Sequence, residues 1–252
     1  MIFTPVKTVK LIPPKDSIEK LVNPLLSIIK EDSVVVISSK VVSIVEGNCI
    51  KIEEVQDKDE LIKNESDLYL ERHHVPGNWL LHTMKNGILI PTAGIDESNS
   101  NGYFILWPKN PEKSAEKICK LIKQKTKLKN IGVIITDSHS IPLRRGLVGL
   151  SIAYYGFKPL YDYRGETDLF GRELKVSQSN IPDSLAPASV LLMGEGNEQT
   201  PIVLISELPK SIEFINGIYK PKGSFSTLEV PIEEDLFKPF LTSVPWIKSK
   251  KN

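Results

Sequence analysis

The sequence predicts a mixed α/β (α+β) fold. Short β-branched and apolar runs suited to strands, at residues 33–39, 131–136 and 201–206, alternate with amphipathic stretches suited to helices. A hairpin signal at Lys85-Asn-Gly87 lies among them, so hairpins and helical crossovers share one chain. With 252 residues, 40% hydrophobic and 25% charged, the chain can bury a full core, as one domain over residues 1–252 or as two intertwined subdomains.

Residues 1–12 alternate apolar and polar as a strand does, and Pro13-Pro14 stops the run. Asp16 and Glu19 have the capping-box spacing, which predicts a helix through about Lys30 that bends at Pro24. The run from Ser33 to Ser39 reads as a buried strand, and Trp79 to Ile90 as two strands joined at Asn86-Gly87. A strand is expected over Gly102 to Trp107. Asn110-Pro111-Glu112 sets a cap, a first-turn proline and an acid ahead of Ala115, Ile118, Cys119 and Ile122, which share one helix face. Strands follow at Ile131 to Thr136 and Val148 to Tyr154, then a helix at Pro182 to Leu192 and a strand at Pro201 to Ser206. Residues 207–252, rich in Pro and Lys, form a C-terminal extension that folds over the core or reaches another subunit, ending in a solvated tail from Lys248 to Asn252.

Thirty-two basic and 31 acidic residues leave a formal charge of +1, which recommends neither nucleic acid nor a membrane surface as partner. No apolar run approaches the ~20 residues needed to span a bilayer, and the N-terminus lacks a basic region ahead of an apolar core, so a cytoplasmic location is expected. Cys49 and Cys119 stand alone among apolar neighbours, and His73, His74, His82 and His139 follow no metal-ligand spacing.

Four stretches concentrate chemistry. Ala93-Gly-Ile-Asp-Glu-Ser-Asn99 and Asp137-Ser138 place carboxylates and hydroxyls in loops or at a strand end; Asp162, Arg164, Asp168 and Arg172 lie among glycines and aromatics; and Met193 to Thr200 holds Gly194 and Gly196. Oxygen ligands, arginines and a flexible backbone loop suit a metal-bound phosphate. Each feature also has a plain structural reading. The glycine pair caps a helix, Asp137 caps the element after its strand, and Arg144-Arg145 is an exposed pair. No GxxxxGK[ST] motif occurs, so a nucleotide here is not held by a Walker loop.

In order, Ala93-Gly-Ile-Asp-x-Ser-Asn99, Asp137-Ser138 with Arg144-x-Gly146, and Pro159-Leu-x-Asp-x-Arg-Gly-x-x-Asp-x-x-Gly-Arg-x-Leu174 resemble the coenzyme F420-0:gamma-glutamyl ligases. Ser39-Lys40-Val-Val-Ser43, Leu106-Trp-Pro-x-x-Pro-x-x-Ser-Ala115 and Met193-Gly-x-Gly-x-Glu-x-x-Pro201 extend the resemblance over roughly residues 8–206. It implies the family's unusual mixed α/β fold, a homodimer, and a GTP-dependent ligase using Mg2+ or Mn2+. The reaction implied joins L-glutamate to a deazaflavin phospholactate carboxylate. Carried over, Asp96 and Asp137 hold one metal, with Ser138 and Glu195 near a second. GTP contacts Val9, Lys10, Leu11, Ile12, Ser39, Lys40, Asn99 and the loop Met193, Gly194, Glu195, Gly196, Asn197, Glu198, Gln199 and Thr200. Arg144 and Asp168, inside the second and third motifs, are the catalytic candidates.

The chain departs from the family pattern at Ile44 and Ile141, where cations are usual, and at Glu195, where glutamine is usual; Lys15 replaces a glycine, and Glu71-Arg72 aligns with a Glu-Ser pair. Two fewer cations and one more carboxylate shift the local charge in the negative direction, which weakens phosphate binding unless a metal compensates. Two alternatives follow: a gamma-glutamyl ligase for another acceptor, such as a folate, and a nucleotide-binding regulatory homologue without turnover.

Overall fold

The computed structural model describes residues 1–217, 219 and 228–250. Among these, β1 (Ile2–Val6) ends short of the expected residue 12. The Lys7–Leu11 stretch leaves the sheet, with the amide of Thr8 donating to the Gln199 carbonyl. Helix α1 (Ile18–Val22) is much shorter than the stretch to Lys30. Pro24 has no N–H to donate, and the chain continues only as a 3₁₀ turn, Asn23–Leu25. Its cap is Ser17, whose hydroxyl accepts from the Glu19 amide, and not Asp16. Asp16 pairs instead with Lys20.

Strand β2 (Ser33–Ser38) runs directly into α2 (Ser39–Glu46), ended by Gly47 in the left-handed conformation. Short elements follow: β3 (Cys49–Lys51), α3 (Lys58–Glu65) and β4 (Leu68–Leu70). The expected hairpin is β5 (His82–Lys85) and β6 (Ile88–Pro91). Next come β7 (Tyr103–Ile105) and α4 (Pro111–Thr126), capped by Asn110 and burying Ala115, Ile118, Cys119 and Ile122 as expected.

Strand β8 (Ile131–Ser140) continues past residue 136, so Asp137 and Ser138 lie inside a strand rather than after one. A bulge between Ile135 and Thr136 marks where β8 passes out of the core while still pairing with β9 (Leu147–Tyr155). The short ribbon β10 (Leu160–Asp162) and β11 (Gln178–Asn180) precedes α5 (Ile181–Met193), which tolerates Pro187 in its interior. After β12 (Ile202–Ser206) come α6 (Lys238–Leu241) and β13 (Ile247–Lys248). The expected solvated tail is therefore docked at its start: β13 pairs with β4, and the Ser249 hydroxyl donates to the Lys63 carbonyl. Residues 251–252 lie outside the described residues.

The central sheet has the order β1-β12-β2-β8-β9, with β2 and β8 parallel and the other neighbours antiparallel. Alternation along its strands divides two cores. Val35, Ile37, Val133 and Ile135 face α4 and α1 in one, while Val34, Val36, Ile134, Val203 and Ile205 face α5 and Phe157 in the other. A second sheet, β13-β4-β5-β6, lies by a smaller core of Ile62, Leu81, Ile95, Phe104 and Leu106. Among the described residues no helix is long and apolar enough to cross a membrane.

Candidate active site

The carboxyl ends of the parallel strands β2 and β8 open into a cavity of about 810 Å³, the position at which sheets with parallel strands collect ligands. Ser38 from β2 and Thr136 to Ser140 from β8 form its floor. The Asp96 to Asn101 loop, the Thr8 to Leu11 stretch and the Met193 to Pro201 loop after α5 form its walls. Polar side chains tie these walls together. Asn99 Nδ2 donates to the Gly196 carbonyl at 2.7 Å, and the Ser138 hydroxyl donates to Glu195 Oε1 at 2.7 Å.

At the carboxylate end, Lys40 Nζ lies 2.7 Å from Asp96 Oδ2 and donates to the Ser98 carbonyl and hydroxyl. Ser98 returns its amide and hydroxyl to Asp96 Oδ1. Asp137 receives the Trp107 indole N–H on one carboxylate oxygen and the Ser138 amide on the other. Burial pushes the Asp137 carboxyl up to about 6; the Trp107 and Ser138 hydrogen bonds pull against that, the Asp96 charge adds to it, and Lys40 opposes it. Asp96 and Asp137 both line the cavity. The ammonium of Lys40 already stands against one of them as a cation.

This donor set fits a hard divalent ion. Asp96, Asp137, Ser138 and Glu195 offer only carboxylate and hydroxyl oxygens, as Mg2+ and Mn2+ prefer. Among the described residues no three His, Cys, Asp or Glu side chains converge as a ready-made cage. Mg2+ commonly takes only one or two carboxylates from protein and completes its shell with water and phosphate oxygens, so a sparse set of protein oxygens suits it.

In the glycine loop the helix-capping reading holds for Gly194. Gly194 ends α5, its amide donating to the Val190 carbonyl. Its φ of 75° strains any side chain there, and a Cβ would stand 2.3 Å from the Glu198 carboxyl, which would have to move aside. Gly196, by contrast, has ordinary φ, and its amide donates to Glu198 Oε2 at 2.9 Å. An amide of this loop is thus already oriented toward an anionic oxygen.

Of the expected nucleotide contacts, Val9, Lys10, Leu11, Lys40, Asn99 and residues 193–200 line the cavity, as do Asp96, Asp137, Ser138 and Glu195. Ile12 and Ser39 do not: the Ile12 amide is taken by Asp16, and Ser39 is buried at the start of α2. The catalytic candidates Arg144 and Asp168 also lie off the cavity lining. Arg144 is exposed in the β8–β9 turn. Asp168 accepts the Phe170 and Arg172 amides within its own loop. In that segment Arg164 grips Asp162 with two nitrogens, at 2.8 and 2.6 Å, and holds its carboxyl down at about 2. Trp107 and Ser98, which stand inside the quoted motifs with no role assigned to them there, contact the acidic residues. The indole sits 30 residues from Asp137, a separation at which no local spacing reports a contact.

A family model described as F420-0:Gamma-glutamyl ligase matches residues 7–207. The chain is similar to the coenzyme F420:L-glutamate ligase of Methanocaldococcus jannaschii, 35% identical over 229 residues, covering 83% of this chain and 86% of that protein. It is likewise similar to the proteins of the same name from Methanopyrus kandleri, 31% identical over 251 residues with 93% and 96% covered, and Archaeoglobus fulgidus, 33% identical over 221 residues with 81% and 86% covered. With its matched length including the strand ends, acidic loop and glycine loop that build the cavity, the chain belongs to the F420-0:gamma-glutamyl ligase family, a family of ligases that form carbon–nitrogen bonds.

Proposed function

We propose that the protein is a GTP- and Mg2+- or Mn2+-dependent ligase that adds L-glutamate to the carboxylate of a coenzyme F420-0-type acceptor, working as a homodimer. The observation that carries this reading is that Asp96 and Asp137 line one cavity walled by the glycine loop. Asp96 and Asp137 would hold one ion, with Ser138 and Glu195 beside a second. The ions would neutralise charge on the γ-phosphate as it transfers. A carboxylate oxygen of the acceptor attacks the γ-phosphorus and GDP leaves, giving an acyl phosphate. The glutamate amine then attacks the acyl carbon, phosphate departs, and the amine loses a proton to form the amide.

Each residue has a share in this reading. Ser98 orients the Asp96 carboxylate through its amide and hydroxyl. Lys40, which pairs with Asp96 in this structure, would face phosphate as a point charge if a bound ion took over Asp96. Gly196 presents backbone to an anion without a Cβ in the way. The homodimer is supported by Leu169 and Phe170, 99% and 95% exposed at the tip of the loop beyond β10, an apolar pair that a partner surface would cover. The test is incubation with GTP, MnCl2, L-glutamate and a panel of carboxylate acceptors, with products identified by mass. A glutamylated F420-0-type acceptor is expected from the wild type and from neither Asp96→Asn nor Asp137→Asn. GTP-dependent glutamylation undiminished in both variants would remove these carboxylates from the chemistry.

A further inference from the structure

The indole of Trp107 brings three separated sequence motifs to one point. The residue is 1% exposed, and its Nε1–H donates to Asp137 Oδ2. The slot that admits it exists because residue 94 has no side chain: a Cβ there would lie 2.0 Å from Nε1 and 2.4 Å from Cε2. Other contacts immobilise the ring and its backbone. The Trp107 carbonyl accepts from Asn48 Nδ2 at 2.5 Å. Lys85 Nζ sits 5.7 Å over the ring and is itself held by Glu65 at 2.7 Å. With the Ser138 amide on Oδ1, the indole holds the second oxygen of the same carboxylate.

The choice of donor matters chemically. An indole N–H donates, cannot accept and carries no charge. It therefore orients a carboxylate while leaving the full negative charge for a cation, whereas a lysine in the same place would neutralise it. A donor that fixes a metal-binding side chain from behind raises affinity by pre-setting the geometry of the oxygens that face the ion.

We propose that Trp107 is a positioning residue for Asp137, its N–H setting the carboxylate orientation that binds a divalent cation, and that position 94 is glycine to admit the indole. The inference rests on the reading of Asp137 as a metal ligand. The test uses the three tryptophans of the full chain as separate probes in ¹H–¹⁵N spectra, with Trp79→Phe and Trp246→Phe assigning the indole signals. MgCl2 is titrated in the presence of GDP. The Trp107 indole signal is expected to move saturably, while that of Trp246, bonded to the Leu241 carbonyl, stays in place. In parallel, Trp107→Phe keeps an aromatic ring and removes the donor. Its Mn2+ affinity is expected to fall by about 10- to 100-fold, with the metal concentration for half-maximal activity rising more than kcat falls.

A Trp107 signal that stays fixed while calorimetry shows Mg2+ binding would overturn the positioning role, as would equal Mn2+ affinity in a folded Trp107→Phe. The wild-type titration decides alone if that variant does not fold. Absence of any Mg2+ or Mn2+ binding to the wild type would instead overturn the metal reading of Asp137, and this inference with it.

Discussion

Asp137 shows how one residue serves opposing demands. Enclosure and the Asp96 charge raise its carboxyl to about 6 from the usual 3.8. A group raised on folding contributes its stability in full below about pH 3.8 and loses it as pH rises through about 6, because the folded protein must then ionise an enclosed carboxyl. Metal-free Asp137→Asn should therefore lose less stability than the wild type between pH 4 and pH 8, as thermal melts at both pH values will show. The sign reverses for a divalent ion at Asp137, which would bind the ionised form. Wild-type Mn2+ affinity should rise with pH through about 6 and level off above it, by calorimetry. Glu195 separates charge from shape at the next position. Glutamine there keeps an oxygen to accept from Ser138 but removes the charge. Glu195→Gln is expected to weaken Mn2+ binding while making GTP binding less dependent on metal, read by titrating GTP with MnCl2 and with a chelator. Equal metal dependence in the two proteins would take Glu195 out of the site.

Among elements, the glycine loop gives the sharpest contrast between fold and function. Gly194→Ala meets both a left-handed backbone and the Glu198 carboxyl, so it should lower Tm. A Cβ at Gly196 meets only the flexible end of Glu198, at 3.3 Å, so Gly196→Val should fold nearly normally yet weaken GTP binding at least tenfold. Unchanged affinity by calorimetry would reduce the loop to a helix terminator. The elements also show which signals a sequence carries. Strands β2 and β8 were legible as dense β-branched runs because both their faces are buried. Helix α4 was legible from its cap, first-turn proline and apolar face. Helix α2 was not: Ser-Lys-Val-Val-Ser-Ile-Val-Glu reads as strand by propensity, and packing of Val42 and Ile44 into the core overrides it. From the sequence β8 reads as ending at Thr136, because the polar residues beyond it face a cavity instead of the core. Strands of two or three residues, such as β10, β11 and β13, are too short to show a period.

At the scale of the whole molecule, the site is assembled from parts of the chain that only the fold brings together. Asn99 bonds Gly196 across 97 positions and Ser138 bonds Glu195 across 57. The motifs therefore contained Trp107 and Lys40 as well as Asp96, Asp137 and the glycine loop, but not the Trp107–Asp137 and Lys40–Asp96 contacts, which exist only in three dimensions. The outer surface carries a separate expectation. Leu169 and Phe170 stand almost fully in solvent, and in a homodimer they are the natural anchors. Light scattering should find a dimer for the wild type and a smaller species for Leu169→Ser/Phe170→Ser, with little change in Tm if the loop folds by its own backbone bonds from Tyr163 to Ser177. A wild-type monomer at micromolar concentration would exclude that arrangement.

Ligation of glutamate to a carboxylate through an acyl phosphate leaves an isotopic mark. An F420-0-type acceptor labelled with ¹⁸O in its carboxylate is supplied together with GTP, MnCl2 and L-glutamate, and both products are weighed by mass spectrometry. A glutamylated acceptor is expected, with GDP in equal amount and one labelled oxygen carried from the acceptor into the released phosphate. Phosphate release without ¹⁸O, or tight GTP binding with no glutamylated product, would rule the acyl-phosphate ligation out.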